Sequence, residues 1–269
     1  MSLRFSKGLR NFLMEGGAWK RALSNGKILV YTGSQPTLAD DAVAGTLLVT
    51  LTKSSGAHTA EVLPTGSVTI SGTSGTYSTV KLAVGGGTAF DILGGAVAFD
   101  TSLAVTATKM ATQINNNPAN IFVTASTTGA SGVITLTGLP GIGATMNGWV
   151  PSGTVTGGDA AIGSAVNIGS GVAGVSAVNG LTFGDSAAGV LVKNPLETWS
   201  GTAGATGTAG WFRFVGAVSD AGTADSSEVY IRMDGSIATS GADLNMTSTS
   251  ITSSATVTLN SASFTFPAA

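Results

Sequence analysis

GWFRFVG (210–216) decides how this chain is read. Its central residues alternate: Trp211, Arg213 and Val215 fall on one side of an extended backbone, Phe212 and Phe214 on the other. Period two is the signature of a strand, because successive side chains point to opposite faces of a sheet. Downstream, VYIRM (229–233) behaves in the same way, and TVTLNSASFTF (256–266) closes the chain with strict alternation. Upstream, GVLVKN (189–194) and ETWSGTAG (197–204) read as shorter strands. Near the start, KILVYTG (27–33) is β-branched and aromatic and is closed by Gly33, and TLLVTLT (46–52) is a second run of that kind. The expected class is therefore all-β, a sandwich or jelly-roll-like domain.

Between Gly66 and Val178 the texture changes. SVTISG, TYSTVKLAV and TAFDILGG read as strands and turns, and then Leu103, Ala107, Met110, Ala111 and Ile114 recur at helical spacing. Asn115-Asn116-Asn117-Pro118 stops that helix, placed near 103–116. IFVTAS and GVITLTGLP are expected to pair across the turn at 128–132, and 141–178 reads as weak strands plus a return linker. From Asn179 the first texture resumes. The predicted organisation is a discontinuous β-domain, 1–64 and 179–269, carrying an inserted β-rich module with one helix at 65–178. Exposed loop tips tolerate such insertions.

Residues 1–24 are the helical N-terminal segment. LRFSKGLRNFLME (3–15) places Leu3, Phe5, Leu9, Phe12 and Leu13 near one face, with Arg4, Lys7 and Arg10 off it, and Gly16-Gly17 ends it. AWKRALSNG adds a short second turn stopping at Asn25-Gly26. An apolar face of five large residues must be buried on its own domain or on a partner. The candidate docking residues are Arg4, Phe5, Leu9, Phe12, Leu13 and Trp19, and residues 1–17 are expected to be dispensable for folding of the β-domain.

Composition points toward assembly. The chain has 269 residues, 39 of them glycine, with 10% charged residues, no cysteine and a mean hydropathy of +0.36. Soluble domains usually carry about 25% charged residues. Six of the twelve Lys/Arg lie in the first 27 residues, and none lies between Lys109 and Lys193. No apolar run is long enough for a membrane-spanning helix, and no secretory signal is expected. A net charge of −2 gives no bulk attraction to nucleic acid. Such a surface stays soluble when neighbouring subunits cover it.

Chemistry-bearing motifs are sparse. His58 alone cannot build a zinc site, and without cysteine no thiolate site exists. No G-x-S-x-G elbow occurs. Asp40-Asp41, Asp220, Asp225 and Asp234 lie beside Gly, Ala or Ser, but none fits the twelve-residue calcium loop, and turn formation is the default role. The glycine-rich GGGTAF and GLPGIGA lack the lysine and spacing of phosphate loops. No catalytic residue, cofactor or metal is expected. Trp149 stands in a Gly/Pro/Ser-rich segment and is the candidate exposed contact aromatic.

The basic amphipathic start, the Y-x-G-x-Q-P element at Tyr31–Pro36, ETWSG at Glu197–Gly201 and GWFRFVG at Gly210–Gly216 together resemble a family of small virion-associated proteins of tailed bacteriophages. The resemblance spans the two outer segments; the insert is similar, more loosely, to β-rich modules of phage tail, sheath and fibre proteins. It implies a non-enzymatic structural part, present as a ring or trimer and assembled in the bacterial host cytoplasm. The implied partners are copies of itself and portal, tail, fibre or capsid proteins. Tail, neck or fibre-attachment region is the expected station, with the insert presented outward. The alternatives are a capsid decoration protein and a host-surface glycan-binding module in which Trp149 or Trp199 stacks on a sugar.

Overall fold

The computed structural model describes residues 3–15, 17–84, 87–129, 132–224 and 229–265. The fold is all-β with three short helices among the described residues. In chain order, the first segment gives β1 (Arg4–Phe5), α1 (Lys7–Met14), α2 (Trp19–Leu23), β2 (Lys27–Thr32) and β3 (Leu47–Lys53). The middle gives β4 (Thr65–Ser71), β5 (Thr76–Ala83), β6 (Ala89–Asp91), β7 (Val97–Ala98), α3 (Leu103–Asn116), β8 (Val123–Thr127), β9 (Val133–Gly138), a 3-10 turn (Gly143–Met146), β10 (Val150–Thr156) and β11 (Ala161–Val166). The last segment gives β12 (Val190–Val192), β13 (Trp199–Thr202), β14 (Gly207–Val215), β15 (Arg232–Ala238), β16 (Leu244–Asn245), β17 (Ser250–Ile251), β18 (Thr256–Leu259) and β19 (Ser263–Thr265). The chain divides into two compact units: unit 1 is Met1–Glu61 with Ala177–Ala269, and unit 2 is Val62–Ser176.

Unit 1 has a nine-stranded sheet in the order β1-β15-β14-β2-β3-β13-β18, with β16 on β15 and β17 on β14, and a separate two-stranded sheet of β12 and β19. Its first and last segments interleave, since β2 and β3 lie between β14 and β13. The alternation in β14 sorts its side chains between two layers. Phe212 and Phe214 enter the main core with Val30, Leu51, Trp199 and Met233, whereas Trp211 and Val215 join Leu29 and Tyr31 on the opposite face. Gly201 and Gly210 serve close approach, because a Cβ at either would stand 2.0 Å from a neighbouring carbonyl oxygen.

The N-terminal segment departs from the expected helix over 3–15. Arg4 and Phe5 are a strand paired with Asp234 and Met233, and the helix starts only after Ser6, whose hydroxyl caps it by accepting from Leu9 N–H at 3.1 Å. Leu9 and Phe12 are buried in unit 1's own core. Residues 4–14 are therefore part of the folded β-domain, and the expectation that the 1–17 segment is dispensable for its folding is corrected. Gly16 lies outside the described residues.

Unit 2 contains two four-stranded sheets among its described residues, β11-β4-β9-β8 and β10-β5-β6 with β7 on β5. The β8–β9 hairpin runs from Val123↔Gly138 to Thr127↔Ile134; Ala130 and Ser131 in its turn lie outside the described residues. Helix α3 is capped by Ser102 and buries Ala107, Met110, Ala111 and Ile114. Residues 141–178, read above as weak strands plus a linker, contain two full strands. β10 pairs with β5 along seven residues and β11 with β4, each with one bulge. Their Gly and Thr content hides the apolar period, and the backbone ladder to partners far away in sequence supplies the order.

Within unit 1, Thr59 and Val178 exchange backbone hydrogen bonds of 3.1 and 3.0 Å, so the two chain crossings already lie side by side. Replacing 62–176 by a two-glycine link is expected to leave a soluble unit 1 that melts cooperatively and keeps its near-ultraviolet tryptophan signal. A molten or insoluble product would show that the two units share one core.

Candidate functional site

The sheet face opposite the main core in unit 1 holds a charged layer. Arg4, Asp234, Arg213 and Leu29 follow one another across four neighbouring strands. Arg213 grips Asp234 with two parallel bonds, Nε to Oδ1 and Nη2 to Oδ2, both 2.7 Å, and neither side chain is exposed to solvent. Beside it, Arg232 donates from Nε and Nη2 to Asp220 at 2.5 and 2.6 Å. Bidentate guanidinium–carboxylate pairs are among the stronger hydrogen bonds in proteins.

The same arginines tie down the loop that follows β2. Arg213 Nη2 donates to the Asp41 carbonyl at 3.1 Å, and Arg232 Nη1 to that of Ala39 at 3.4 Å. Trp211 stacks on Tyr31 with centroids 4.6 Å apart, and its Nε1 donates to the Thr32 and Ala44 carbonyls. Burial pushes the Asp234 carboxyl above its ordinary value, against the pull of Arg213. Both of its oxygens are occupied, so it is a clamp and not a free base. The Y-x-G-x-Q-P element forms part of this loop, and Gln35 in it is buried with neither amide atom bonded.

The other candidate aspartates are committed in similar ways. Asp40 accepts from Lys7 N–H at 2.9 and 3.2 Å, and Asp41 from Leu38 N–H at 2.8 Å. Asp225 lies outside the described residues. Among the described residues no group of three or more His, Cys, Asp or Glu is arranged to hold a metal. His58 Nε2 meets the Asn25 carbonyl at 3.0 Å, and burial holds its pKa below the usual histidine value.

Under the ETWSG element, Glu197 accepts from Thr182 N–H at 3.0 Å and from Trp199 Nε1 at 3.2 Å, with Lys53 Nζ 3.2 Å away. Burial works to raise the Glu197 carboxyl. The bonds from Thr182, Lys53 and Trp199 outweigh it and hold the group below the usual carboxylate range.

The proposed docking residues do not all reach the surface. Leu9 and Phe12 are spent inside unit 1, and Leu13 and Trp19 are partly buried against the same core. Arg4 donates to the Gln35 carbonyl at 3.5 Å. Phe5 is half-exposed and meets the Trp19 ring edge-on at 5.2 Å. In this segment Phe5, Arg10 and Met14 are exposed, the last at 88% at the end of α1. The most exposed large apolar residue is Leu196, at 93%, which sequence reasoning passed over. Pro195 just before it, in a loop, was the only available signal.

Trp149 in unit 2 is not the exposed anchor expected. It is 9% exposed and packs against Phe122, centroids 5.4 Å apart, with Phe122 in turn 5.4 Å from Phe90. Ile168 N–H donates to the Trp149 carbonyl at 2.9 Å and Gly148 N–H to the Ile168 carbonyl at 2.7 Å, folding the segment back over the ring. Phe90, at 46%, is the aromatic that this stack leaves exposed. Since Trp199 is fully buried too, neither tryptophan named for sugar stacking presents a face.

An open groove of about 580 Å³ in unit 2 runs along α3 past Thr108, Lys109, Gln113 and Asn116, and is partly filled by the Lys109–Asp100 ion pair. A pocket of about 210 Å³ in unit 1 is lined by Trp199, Phe212, Phe214, Leu259 and Phe264. Among the described residues no helix is long and apolar enough to cross a membrane. In comparisons with known proteins, no family model, no curated protein and no solved structure matches this chain.

Proposed function

We propose that this chain is a non-enzymatic structural component of a tailed-bacteriophage virion, working as repeated copies in the tail, neck or fibre-attachment region. The observation that carries the reading is where the charges go. In a chain with only 10% ionisable residues, two Arg–Asp pairs are withdrawn into the fold as loop clamps. What remains outside is mainly threonine, serine and glycine, with thinly spread charges such as Lys7, Arg10, Lys20 and Asp185 and isolated apolar side chains such as Phe5, Met14, Phe90 and Leu196. A surface of that kind suits burial against sister subunits. Asp234 and Asp220 each meet a guanidinium through both oxygens, which gives them a structural part in the fold. The motifs resembling virion proteins support the same reading: Trp199 and Phe212–Phe214 within them build the core, and Arg213 clamps a loop.

Peptide mass spectrometry of gradient-purified virions from the host that carries the gene tests this. Peptides of both units are expected at a fixed ratio to the major capsid protein. Presence in the lysate with absence from washed particles would overturn the proposal.

A further inference from the structure

We infer that β18 is a docking edge for β18 of a second copy of this chain. Among the described residues the strand ends the larger unit 1 sheet, paired to β13 on one side from Trp199↔Leu259 to Thr202↔Thr256. Ala203 N–H donates to the Ala255 carbonyl at 2.9 Å. Since successive backbone groups point to alternate sides, residues 255, 257 and 259 bond toward β13, and Thr256 and Thr258 turn their N–H and C=O groups outward. A row of outward donors and acceptors is a template for another strand.

Four other edge strands, β1, β8, β10 and β11, carry protective devices. At the other end of the same sheet, β1 is two residues long and includes Arg4. In unit 2, β10 and β11 are bulged. The outer side of β8 is sealed by Asn115, whose amide donates to the Ala125 carbonyl at 2.9 Å and accepts from its N–H at 2.7 Å. β18 has no bulge in its ladder, no proline and no charge.

The choice of a second copy follows from charge and symmetry. A two-fold axis sets each residue against itself or a near neighbour, so any charge on such an edge meets its like. From Leu244 to Ala269 the sequence contains no ionisable side chain. The outward side chains, Thr256 and Thr258, are exposed threonines, and threonine pairs well with threonine across antiparallel strands. Antiparallel pairing about a two-fold also repeats the geometry β18 already has with β13. A pocket of mixed character, lined by Leu259 and Phe264 together with Asp243, Asn245 and Ser263, opens beside the strand. Four residues make a weak pair alone, and the pairing strengthens when copies are already held close together. The inference rests on the proposal that the chain works as repeated copies, but not on its station in a particle.

Sedimentation equilibrium of the purified full chain, up to about 1 mM, tests it. The wild type is expected to show a monomer–dimer equilibrium. Thr258→Pro removes one outward N–H without touching the bonds to β13, and Thr258→Lys sets two cations against each other. Each is expected to weaken the dimer by at least about tenfold, with an unchanged melting temperature and near-ultraviolet spectrum. If the proline variant misfolds, the lysine variant decides. A wild type that stays monomeric, or a dimer or larger ring indifferent to the folded variants, would overturn the pairing. The virion proposal is decided separately, by the composition of particles.

Discussion

Asp234→Ala is expected to destabilise unit 1 by about 3–5 kcal/mol, the usual cost of leaving one partner of a buried ion pair uncompensated. For a unit of this size that lowers the melting temperature by roughly 10 °C. Arg213 stays fully buried with its Nε and one Nη2 bond unmatched, and its other anchor, the Asp41 carbonyl, cannot neutralise it. Removing both partners is expected to behave differently. Arg213→Met with Asp234→Leu replaces the pair by apolar volume, which at other buried pairs is neutral or stabilising. That double variant should recover most of the lost melting temperature while freeing the loop after β2, read as faster amide exchange at Asp41–Val43. Equal melting temperatures for Asp234→Ala and wild type would mean that water reaches the pair.

Trp199→Ala has the second large effect, about 3–5 kcal/mol for a fully buried tryptophan. Its ring meets Phe183 edge-on at 5.3 Å and Phe214 at 6.4 Å, and Lys193 Nζ lies 5.9 Å over its face. Truncation empties the centre of the core and takes a donor from the buried Glu197. Trp199→Phe separates the two contributions: it keeps most of the packing and loses only the Nε1–Glu197 bond, so a cost of about 1–2 kcal/mol is expected. Urea unfolding followed by circular dichroism measures both. If the two variants cost the same, the hydrogen bond and not the packing dominates at this position.

Local pattern was enough wherever burial and periodicity agree. The alternation in 210–216 assigns Phe212 and Phe214 to one layer and Trp211 to the other, as the cores record. The helical spacing from Leu103 to Ile114 marks α3. The texture shifts at Gly66 and Asn179, and the two units divide at 61/62 and 176/177. What local pattern misses is long-range pairing. Arg4 and Phe5 look helical until Asp234 and Met233, over two hundred residues away, pair with them. β10 and β11 have little period of their own and exist through β5 and β4.

Site residues were harder to read for a related reason. Asp220 and Asp234 look like turn aspartates, because the arginines that bind them are assigned only by sheet register. Trp149 looks isolated among small residues, and the side chains covering it come from elsewhere in unit 2, Phe122 among them. Edge status is likewise invisible in TVTL (256–259): nothing within those four residues says that β13 covers only one side.

The interleaving of β2 and β3 between β14 and β13 constrains how the molecule is made. On the ribosome the β2–β3 hairpin emerges early but must wait for β14, which is translated more than one hundred and fifty residues later. Meanwhile unit 2 is complete, and its own ends are zipped by Val62 and Val175, which exchange backbone bonds of 3.0 Å each way. Folding of the middle first converts a very long loop into a short tether, and so relieves much of the closure entropy that uniting the outer halves would otherwise cost. The insert thus acts as a splint during biosynthesis, and slowing its maturation should delay the sheet of unit 1 without altering the sheet finally reached.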